Sequence, residues 1–388
     1  MGLPVSYSLR NLTRRPIRSL MTVSGIAIVV FACVIMLGLT RGIMVRMDVS
    51  GEESNILAIN RKGQNILFSN IEPNEVEYLS QLEGVATGPD GSALVSPELM
   101  HVPYISAEVS GKKMRSPISI RGVGPKAYAV HKSVKLIEGR LPENEHEMIA
   151  GVNAHLRMSM PKEALAVGKK VNFEAADWTI VGRFEAGGSV VESEIWCLEA
   201  DLHTVLRRRT HSFVVVKMNS PEAVQAALPV FSSTGALQKY FKAWSEKAYY
   251  FEVGGSLKWV FWLSIVMVIA IAVAGALIGL NTMYTAIINR VAEIATLRVL
   301  AFSRTSIFMS LALESVAMAL IGGAVGLAAG FLLNSLPFKM SQGTFFLIVD
   351  SYVISAAIGL SLIIGVVGVL FPALRGLQMS IVEGLSSE

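Results

Sequence analysis

Residues Asn281–Ser310 read NTMYTAIINRVAEIATLRVLAFSRTSIFMS, and this stretch separates two long apolar runs. Within it Val291, Ile294, Leu297, Leu300 and Phe302 recur at helical spacing, while Arg290, Glu293, Arg298 and Arg304 supply charge. That periodicity predicts a short amphipathic helix rather than a loose loop. A few polar residues would suffice to join two membrane helices. A connector with an apolar face, a basic bias and few helix breakers is built to press against something.

Outward from the connector, Leu257–Tyr284 is apolar and long enough to cross a bilayer, with Trp259 and Trp262 at its start in the position of an interfacial aromatic belt. Ile307–Leu336 follows as a further span and Tyr352–Ala373 as the last, closing at Phe371-Pro372. Near the other end Leu20–Leu39 is apolar and is preceded by Arg10, Arg14, Arg15 and Arg18 with no acidic residue. A secretory signal shares that opening. The run is longer than a signal core, however, and Leu39-Thr40-Arg41-Gly42 offers no small-x-small cleavage site, so a retained anchor is expected.

Composition supports a mixed architecture. The chain is 52% hydrophobic and 16% charged, with a mean hydropathy of +0.51, too apolar for an ordinary soluble enzyme and too polar for spans alone. Its net charge of +4 comes with basic residues gathered near span ends, which signals membrane orientation rather than nucleic-acid binding. Cys33 lies in the first apolar run and Cys197 in the polar part, so no internal disulfide is expected.

The lysines and arginines set the orientation. The N-terminus and the 285–306 connector are basic and Arg375 follows the last span, whereas Pro337–Ser351 sets only Lys339 against Asp350. Both termini and the connector are then expected inside, and the long polar stretch outside, in the periplasm or its equivalent. The expected division is a cytoplasmic amphipathic segment 1–19, a first span 20–40, an outer domain 41–256, a second span 257–284, a cytoplasmic connector region 285–306, a third span 307–336, a short outer loop 337–351, a fourth span 352–373 and a cytoplasmic tail 374–388.

Within the outer domain, β-like runs at Asn65–Phe68, Ile118–Val123, Trp178–Val181 and Phe213–Met218 alternate with turn signals such as Pro89-Asp90-Gly91. Glu72-Pro73-Asn74 and Ser220-Pro221-Glu222 each open a helix, over Glu75–Leu82 and Ala223–Leu228. The fold class is therefore an α-helical membrane protein with four transmembrane helices and a large α+β extracytoplasmic domain between the first and second.

Few residues stand out chemically. Glu314 lies about two turns into the third span, where a charge is rare and functional by default. Its plain reading is a bond to a neighbouring helix, through a hydroxyl such as that of Ser310, or a protonated state; the competing readings are coupling and ion handling. Apart from Glu314 and Asn281 the spans hold mainly Ser, Thr and Gly as polar groups, which argues against an ion channel or a proton-driven carrier. Gly322, Gly326 and Gly330 repeat every fourth residue and let helix backbones approach, within one subunit or between two. Gly42 and Gly254-Gly255 read as hinges or as helix ends.

The six histidines are scattered, and Glu145-His146-Glu147 lacks the spacing that sets two ligands on one helix face, so no metal site is expected. Gly111-Lys112-Lys113 and Gly168-Lys169-Lys170 are not phosphate-binding loops of the G-x-x-x-x-G-K-[ST] kind. No catalytic residue is singled out, and a membrane-anchored enzyme is disfavoured.

One span, a large outer domain and then three spans resemble the MacB/FtsX-like family of ABC transporter permeases, which includes LolC and LolE. Asn11-Leu12-Thr13-Arg14-Arg15-Pro16-Ile17-Arg18-Ser19-Leu20 is similar to the family's helix leading into the first span. Leu136-Ile137-Glu138-Gly139-Arg140 and Trp178-Thr179-Ile180-Val181-Gly182 are similar to its periplasmic core. Asn281-Thr282-Met283, Arg290, Glu293-Ile294 and Leu297-Arg298-Val299-Leu300 resemble its N-T-M…R-x-x-E-I-x-x-L-R-A-L-G segment, with Val299 and Ala301 in place of Ala and Gly. Phe371-Pro372-Ala373 and Ile381-Val382-Glu383-Gly384-Leu385 are similar to its P-A…P-V-E-A-L ending, with Ile381 for Pro.

The resemblance implies a permease subunit that relays the ATP-driven motion of a separate ATPase to its periplasmic domain, exporting or extracting a substrate in the cell envelope. The alternative is a non-transporting scaffold that relays ATPase state to an envelope hydrolase. In either case the chain itself is no enzyme and carries no cofactor, with ATP and Mg in the partner. Arg290, Glu293, Ile294, Leu297, Arg298 and Leu300 would meet the ATPase, and Glu314 with Gly322, Gly326 and Gly330 would serve packing or coupling within the membrane. The implied partners are a cytoplasmic ABC ATPase, a second permease subunit in a homo- or heterodimer, the lipid bilayer, and in part of the family a periplasmic adaptor and outer-membrane channel, with no nucleic acid.

Overall fold

A computed structural model describes residues 16–378, apart from 110, 234, 256–257 and 341–342. The N-terminal segment through residue 15 and the Ile381–Leu385 motif lie outside the described residues. The chain divides into two compact units, one of Met1–Gly42, Lys258–Leu336 and Phe346–Glu388, the other of Ile43–Leu257 and Pro337–Phe345.

The first unit is helical. Helices Pro16–Asp48, Lys258–Ile288, Arg304–Phe331 and Ser351–Gln378 each contain a stretch long and apolar enough to cross a membrane. The first helix does not stop at residue 40, because Gly42 alone does not break it and Ile43, Met44, Val45 and Met47 continue the apolar pattern to Asp48. Gly42 is thus not a helix end. A Cβ there would stand 1.8 Å from the Phe346 carbonyl oxygen, so its bareness admits a neighbouring backbone. The fourth helix likewise runs through Pro372 to Gln378 instead of closing at 373; membrane helices tolerate such a proline when neighbours satisfy the freed carbonyl.

Ile26, Val30 and Val34 of the first helix are buried with Ala319 of the third and Val353, Ala357 and Ile364 of the fourth. The glycine series lets these helices meet. A Cβ on Gly322 would stand 2.8 Å from the Val23 carbonyl oxygen, one on Gly326 2.4 Å from that of Ala27, and one on Gly330 2.5 Å from Val34 Cγ1. Of the two readings left open by the sequence, these contacts place the series at packing within the chain, where small residues gain dispersion energy that lipid cannot supply.

The second unit is built on one mixed sheet of 12 strands among the described residues. Its order is Phe241–Ser245, Asn55–Asn60, Phe213–Lys217, Val95–His101, Ile120–Val123, Ile195–Leu198, Glu147–Gly151, Ala176–Glu185, Lys170–Phe173, Tyr104–Val109 and Lys112–Pro117, with Lys135–Gly139 also paired to Ala176–Glu185. Two of the pairings are parallel, Ile120–Val123 with Ile195–Leu198 and Glu147–Gly151 with Ala176–Glu185.

Period-two alternation divides the strands between two cores. Ile56, Ala58, Val214 and Val216 join one, while Leu57, Ile59, Phe213 and Val215 join the other. The expected helices form as Pro73–Ser80 and Pro221–Ala227, the second capped by the Ser220 hydroxyl, which accepts from the Ala223 amide. Asn65–Phe68 is not a strand. The Asn65 side chain accepts from the Leu67 and Phe68 amides and winds Ile66–Phe68 into a single 3-10 turn.

A charge network lies inside this sheet. Arg121, only 1% exposed, pairs with Glu98 at 2.9 Å and Glu194 at 2.7 Å, and donates to the Tyr250 hydroxyl at 3.2 Å. His131 approaches Glu98 at 2.7 Å and Glu246 at 3.5 Å. Burial depresses the basicity of His131, but Glu98 and Glu246 outweigh it and raise the pKa above the ordinary imidazole value. Glu246 and Tyr250 belong to the helix Glu246–Gly255, so the network fixes that helix to the sheet; Gly254-Gly255 forms its end.

Candidate functional site: a buried ion pair under the connector helix

The connector folds as the helix Val291–Val299, entered through Arg290, whose carbonyl accepts the first helical bond from Ile294 at 2.9 Å. Arg290 itself turns inward. Its Nη1 donates to Glu314 Oε2 at 2.8 Å, and the two residues are 6% and 2% exposed. A buried pair of this kind gives register more than net stability, but removing one partner strands the other's charge in an apolar place. Glu314 therefore has a cationic partner supplied by the connector.

The apolar face of the helix also turns inward. Ile294 is buried with Met283 and Ile287 of the second apolar helix, Ile307 and Leu311 of the third and Val369 of the fourth, and Leu297 and Phe302 pack against the same cluster. Of the six residues expected to meet an ATPase, Arg290 and Ile294 are buried, Leu297 and Arg298 half-buried, and Glu293 and Leu300 exposed. Thr296 and Val299 share the exposed side with Glu293 and Leu300. The spacing set Leu300 on one apolar face with Ile294 and Leu297, whereas the structure turns Leu300 to the exposed side and buries Ile294 against the apolar helices.

The helix ends in a Schellman turn. Phe302 N donates to Leu297 O at 3.1 Å and Ala301 N to Arg298 O at 3.1 Å, with Leu297 and Phe302 in one apolar cluster. The turn requires a left-handed residue, and Ala301 occupies it at φ +63°. An L-residue there costs about 1–2 kcal/mol relative to a relaxed backbone. Ala301→Gly is accordingly expected to stabilise the protein by about 1 kcal/mol, read as a rise in melting temperature in detergent. A lower melting temperature would show that this turn carries no strain.

A second convergence lies in the sheet unit. Glu192, 5% exposed, accepts at Oε2 from Arg46 Nη2 at 3.0 Å and Asn153 Nδ2 at 2.6 Å, and at Oε1 from the Ala186 and Gly188 amides at 3.1 and 2.7 Å. Arg46 is in the last turn of the first apolar helix, and its Nη1 donates to the Thr344 carbonyl oxygen. Thr344 belongs to the hairpin of Pro337–Met340 and Gly343–Phe346, where the sequence led us to expect only a short loop between the third and fourth spans. The Thr344 amide donates to Ser193 Oγ at 3.0 Å. Neither Arg46 nor Glu192 was singled out from the sequence. The helical continuation Ile43–Met47 is the signal that would have placed Arg46 on the first helix.

Comparison with known proteins bears on the whole arrangement. The MacB-like periplasmic core domain family matches residues 19–229, more than half of the chain, and the FtsX-like permease C-terminal family matches residues 248–381. An uncharacterized ABC transporter permease of Methanocaldococcus jannaschii is 22% identical over 405 residues, covering 99% of this chain and 98% of the relative. The macrolide export ATP-binding/permease protein MacB of Escherichia coli is 21% identical over 406 residues; the match covers 99% of this chain but 60% of that longer protein. Among solved structures, the periplasmic region of MacB from Actinobacillus actinomycetemcomitans aligns over 53% of this chain and 94% of its own at 15% identity, with a TM-score of 0.39. The connector, Glu314 and the glycine series fall within the second family match, and the sheet unit largely within the first. The chain belongs to the MacB/FtsX-like family of ABC transporter permeases.

Proposed function

We propose that this chain is the permease subunit of an ABC transporter of the MacB/FtsX/LolCE type, and that it transmits the ATP-driven motion of a separate ATPase subunit to its sheet unit in order to export or extract a substrate in the cell envelope. The observation that carries the reading is the division of the connector helix into two faces. One is locked to the helical unit by Arg290–Glu314 and by Ile294, Leu297 and Phe302. The other leaves Glu293, Thr296, Val299 and Leu300 accessible, with Val299 62% and Leu300 64% exposed. Isolated exposed apolar residues are ordinary on a protein surface. A pair on a helix fixed through its opposite face is suited to receive a push and pass it on without bending.

Orientation follows the charge asymmetry, with the connector and both termini on the cytoplasmic side of the inner membrane and the sheet unit in the periplasm. A second permease subunit completes the transporter on this reading. The test replaces the accessible residues alone. Leu300→Glu and Val299→Glu are expected to weaken copurification with the ATPase about tenfold each, a loss of about 1.4 kcal/mol, and to reduce stimulation of its ATP hydrolysis while the melting temperature stays unchanged. Full copurification and full stimulation in the doubly substituted protein would remove the docking role from this face.

A further inference from the structure

Glu199, His203 and His211 meet in a part of the sheet unit that the proposed function does not use. Glu199 and His203 lie one turn apart on the helix Glu199–Leu206, so their side chains rise from the same face. The helix stops at Arg207, whose left-handed backbone at φ +50° turns the chain, and His211 then pairs through its backbone with Ile71, each amide donating to the other's carbonyl at 2.9 Å. This return brings a third side chain to the pair. His211 Nδ1 lies 2.5 Å from Glu199 Oε1, His203 Nε2 lies 3.4 Å from the same oxygen, and the imidazole centroids are 5.3 Å apart.

Three features of this geometry go beyond an ordinary His–Glu pair. One ligand atom from each residue lies within 4.8 Å of the other two, a span that an ion about 2.0–2.2 Å from each ligand can close with small side-chain shifts. The outer nitrogen of His203, Nδ1, is 2.6 Å from the Arg208 carbonyl oxygen, which only accepts, so the ring donates there. That bond leaves the Nε2 lone pair of the neutral ring directed at the cluster, as the outer shell of a metal-bound histidine does. Finally, two imidazoles converge on a single carboxylate oxygen, whereas a simple ion pair needs only one.

We propose that Glu199, His203 and His211 form a binding site for a divalent transition ion of the zinc class, with three protein ligands and a fourth position open to the adjoining pocket. The donor set excludes magnesium and calcium, which take oxygen ligands, and suits zinc, cobalt or nickel. The pocket is lined by Pro73, Thr204, Arg207 and Arg209, while the Arg208 guanidinium is held by Ser69 O at 2.6 Å and Asn70 Oδ1 at 2.8 Å. Basic groups around the open position suit an anionic fourth ligand. A bound ion would staple the helix Glu199–Leu206 to the segment leading into the strand Phe213–Lys217.

The test uses the full chain in detergent, carrying an affinity tag free of histidine and stripped with a chelator. Titration with Co2+ should give about one ion per chain and visible absorption of a four- or five-coordinate ion, lost on adding Zn2+. Zn2+ should raise the melting temperature, and Mg2+ should not. His203→Ala, His211→Ala and Glu199→Gln are each expected to weaken Zn2+ binding about a hundredfold, equivalent to about 2.7 kcal/mol, whereas His155→Ala should leave it unchanged. Should an alanine variant fail to fold, His203→Gln and His211→Asn take its place. Absence of Co2+ absorption in the wild type, or Zn2+ binding that survives both histidine substitutions, overturns the site.

Discussion

Arg290→Ala is expected to lower the stability of this protein by about 3–5 kcal/mol, because it breaks a buried ion pair by removing the guanidinium that donates to Glu314. Glu314→Ala should also destabilise, but by less, since the Arg290 guanidinium keeps the Glu293 carboxylate at 3.9 Å. The informative variant removes both charges at once. In Arg290→Met with Glu314→Leu the polar pair is replaced by side chains that fill similar space, and such replacements are often neutral in stability. The melting temperature in detergent should therefore recover most of what the single variants lose, a coupling of the kind a double-mutant cycle reads.

ATPase stimulation should not recover with it. The ion pair fixes the connector's entry to the third helix at one geometry, whereas an apolar contact tolerates sliding. A single Arg290→Ala protein with unchanged melting temperature and unchanged ATPase stimulation would show that the pair neither holds the connector nor takes part in coupling. Recovery of both properties in the double variant would assign it to folding alone.

The four spans and the connector helix were legible because each is written in hydrophobic length and helical period, which are local properties. The glycine series was legible as a close-approach surface for the same reason. The partner of that surface was not, since spacing cannot distinguish Val23, Ala27 and Val34 of the same chain from an equivalent helix of another subunit. Arg290 illustrates the same limit in the site itself. Its position at the head of an amphipathic helix was clear, but its partner Glu314 is 24 residues away and becomes a neighbour only when the connector folds back on the third helix.

The outer domain was legible as strands and helices but not as one sheet, because the order of strands depends on pairings far apart in sequence. Asn65 shows the finer failure. Its run looked like a strand until a side-chain cap outcompeted the ladder. The Glu199–His203–His211 cluster escaped for a combined reason: two members share a helix face, and the third arrives only through the pairing of His211 with Ile71.

Glu192→Gln should have the other large effect, and in the opposite place. The glutamine keeps the shape and an acceptor oxygen but removes the charge that compensates Arg46, whose guanidinium is 8% exposed and also donates to Thr344. Charge-assisted bonds are roughly twice as strong as neutral ones, so the bond from Arg46 weakens when its acceptor loses its charge. The last turn of the first apolar helix, the Ala186–Ser193 loop and the hairpin strand Gly343–Phe346 should then loosen from one another. The Thr344 amide, now bonded to Ser193 Oγ, reports this directly, and its hydrogen exchange should accelerate at least about tenfold, a local opening cheaper by about 1.4 kcal/mol.

Within the sheet unit, Arg46 joins this carboxylate to the Thr344 carbonyl of the hairpin, and under the proposed function this junction is expected to follow the nucleotide state. Glu192→Gln should consequently leave ATPase docking and stimulation near wild type while the sheet unit no longer follows the nucleotide state, as read by exchange across 343–346 with and without ATP in the assembled complex. Arg290→Ala should give the converse pattern, with stimulation lost and hairpin exchange in the nucleotide-free protein unchanged. Wild-type exchange in Glu192→Gln, under both nucleotide conditions, would mean that the convergence on Glu192 is packing alone and that force leaves the helices by another path.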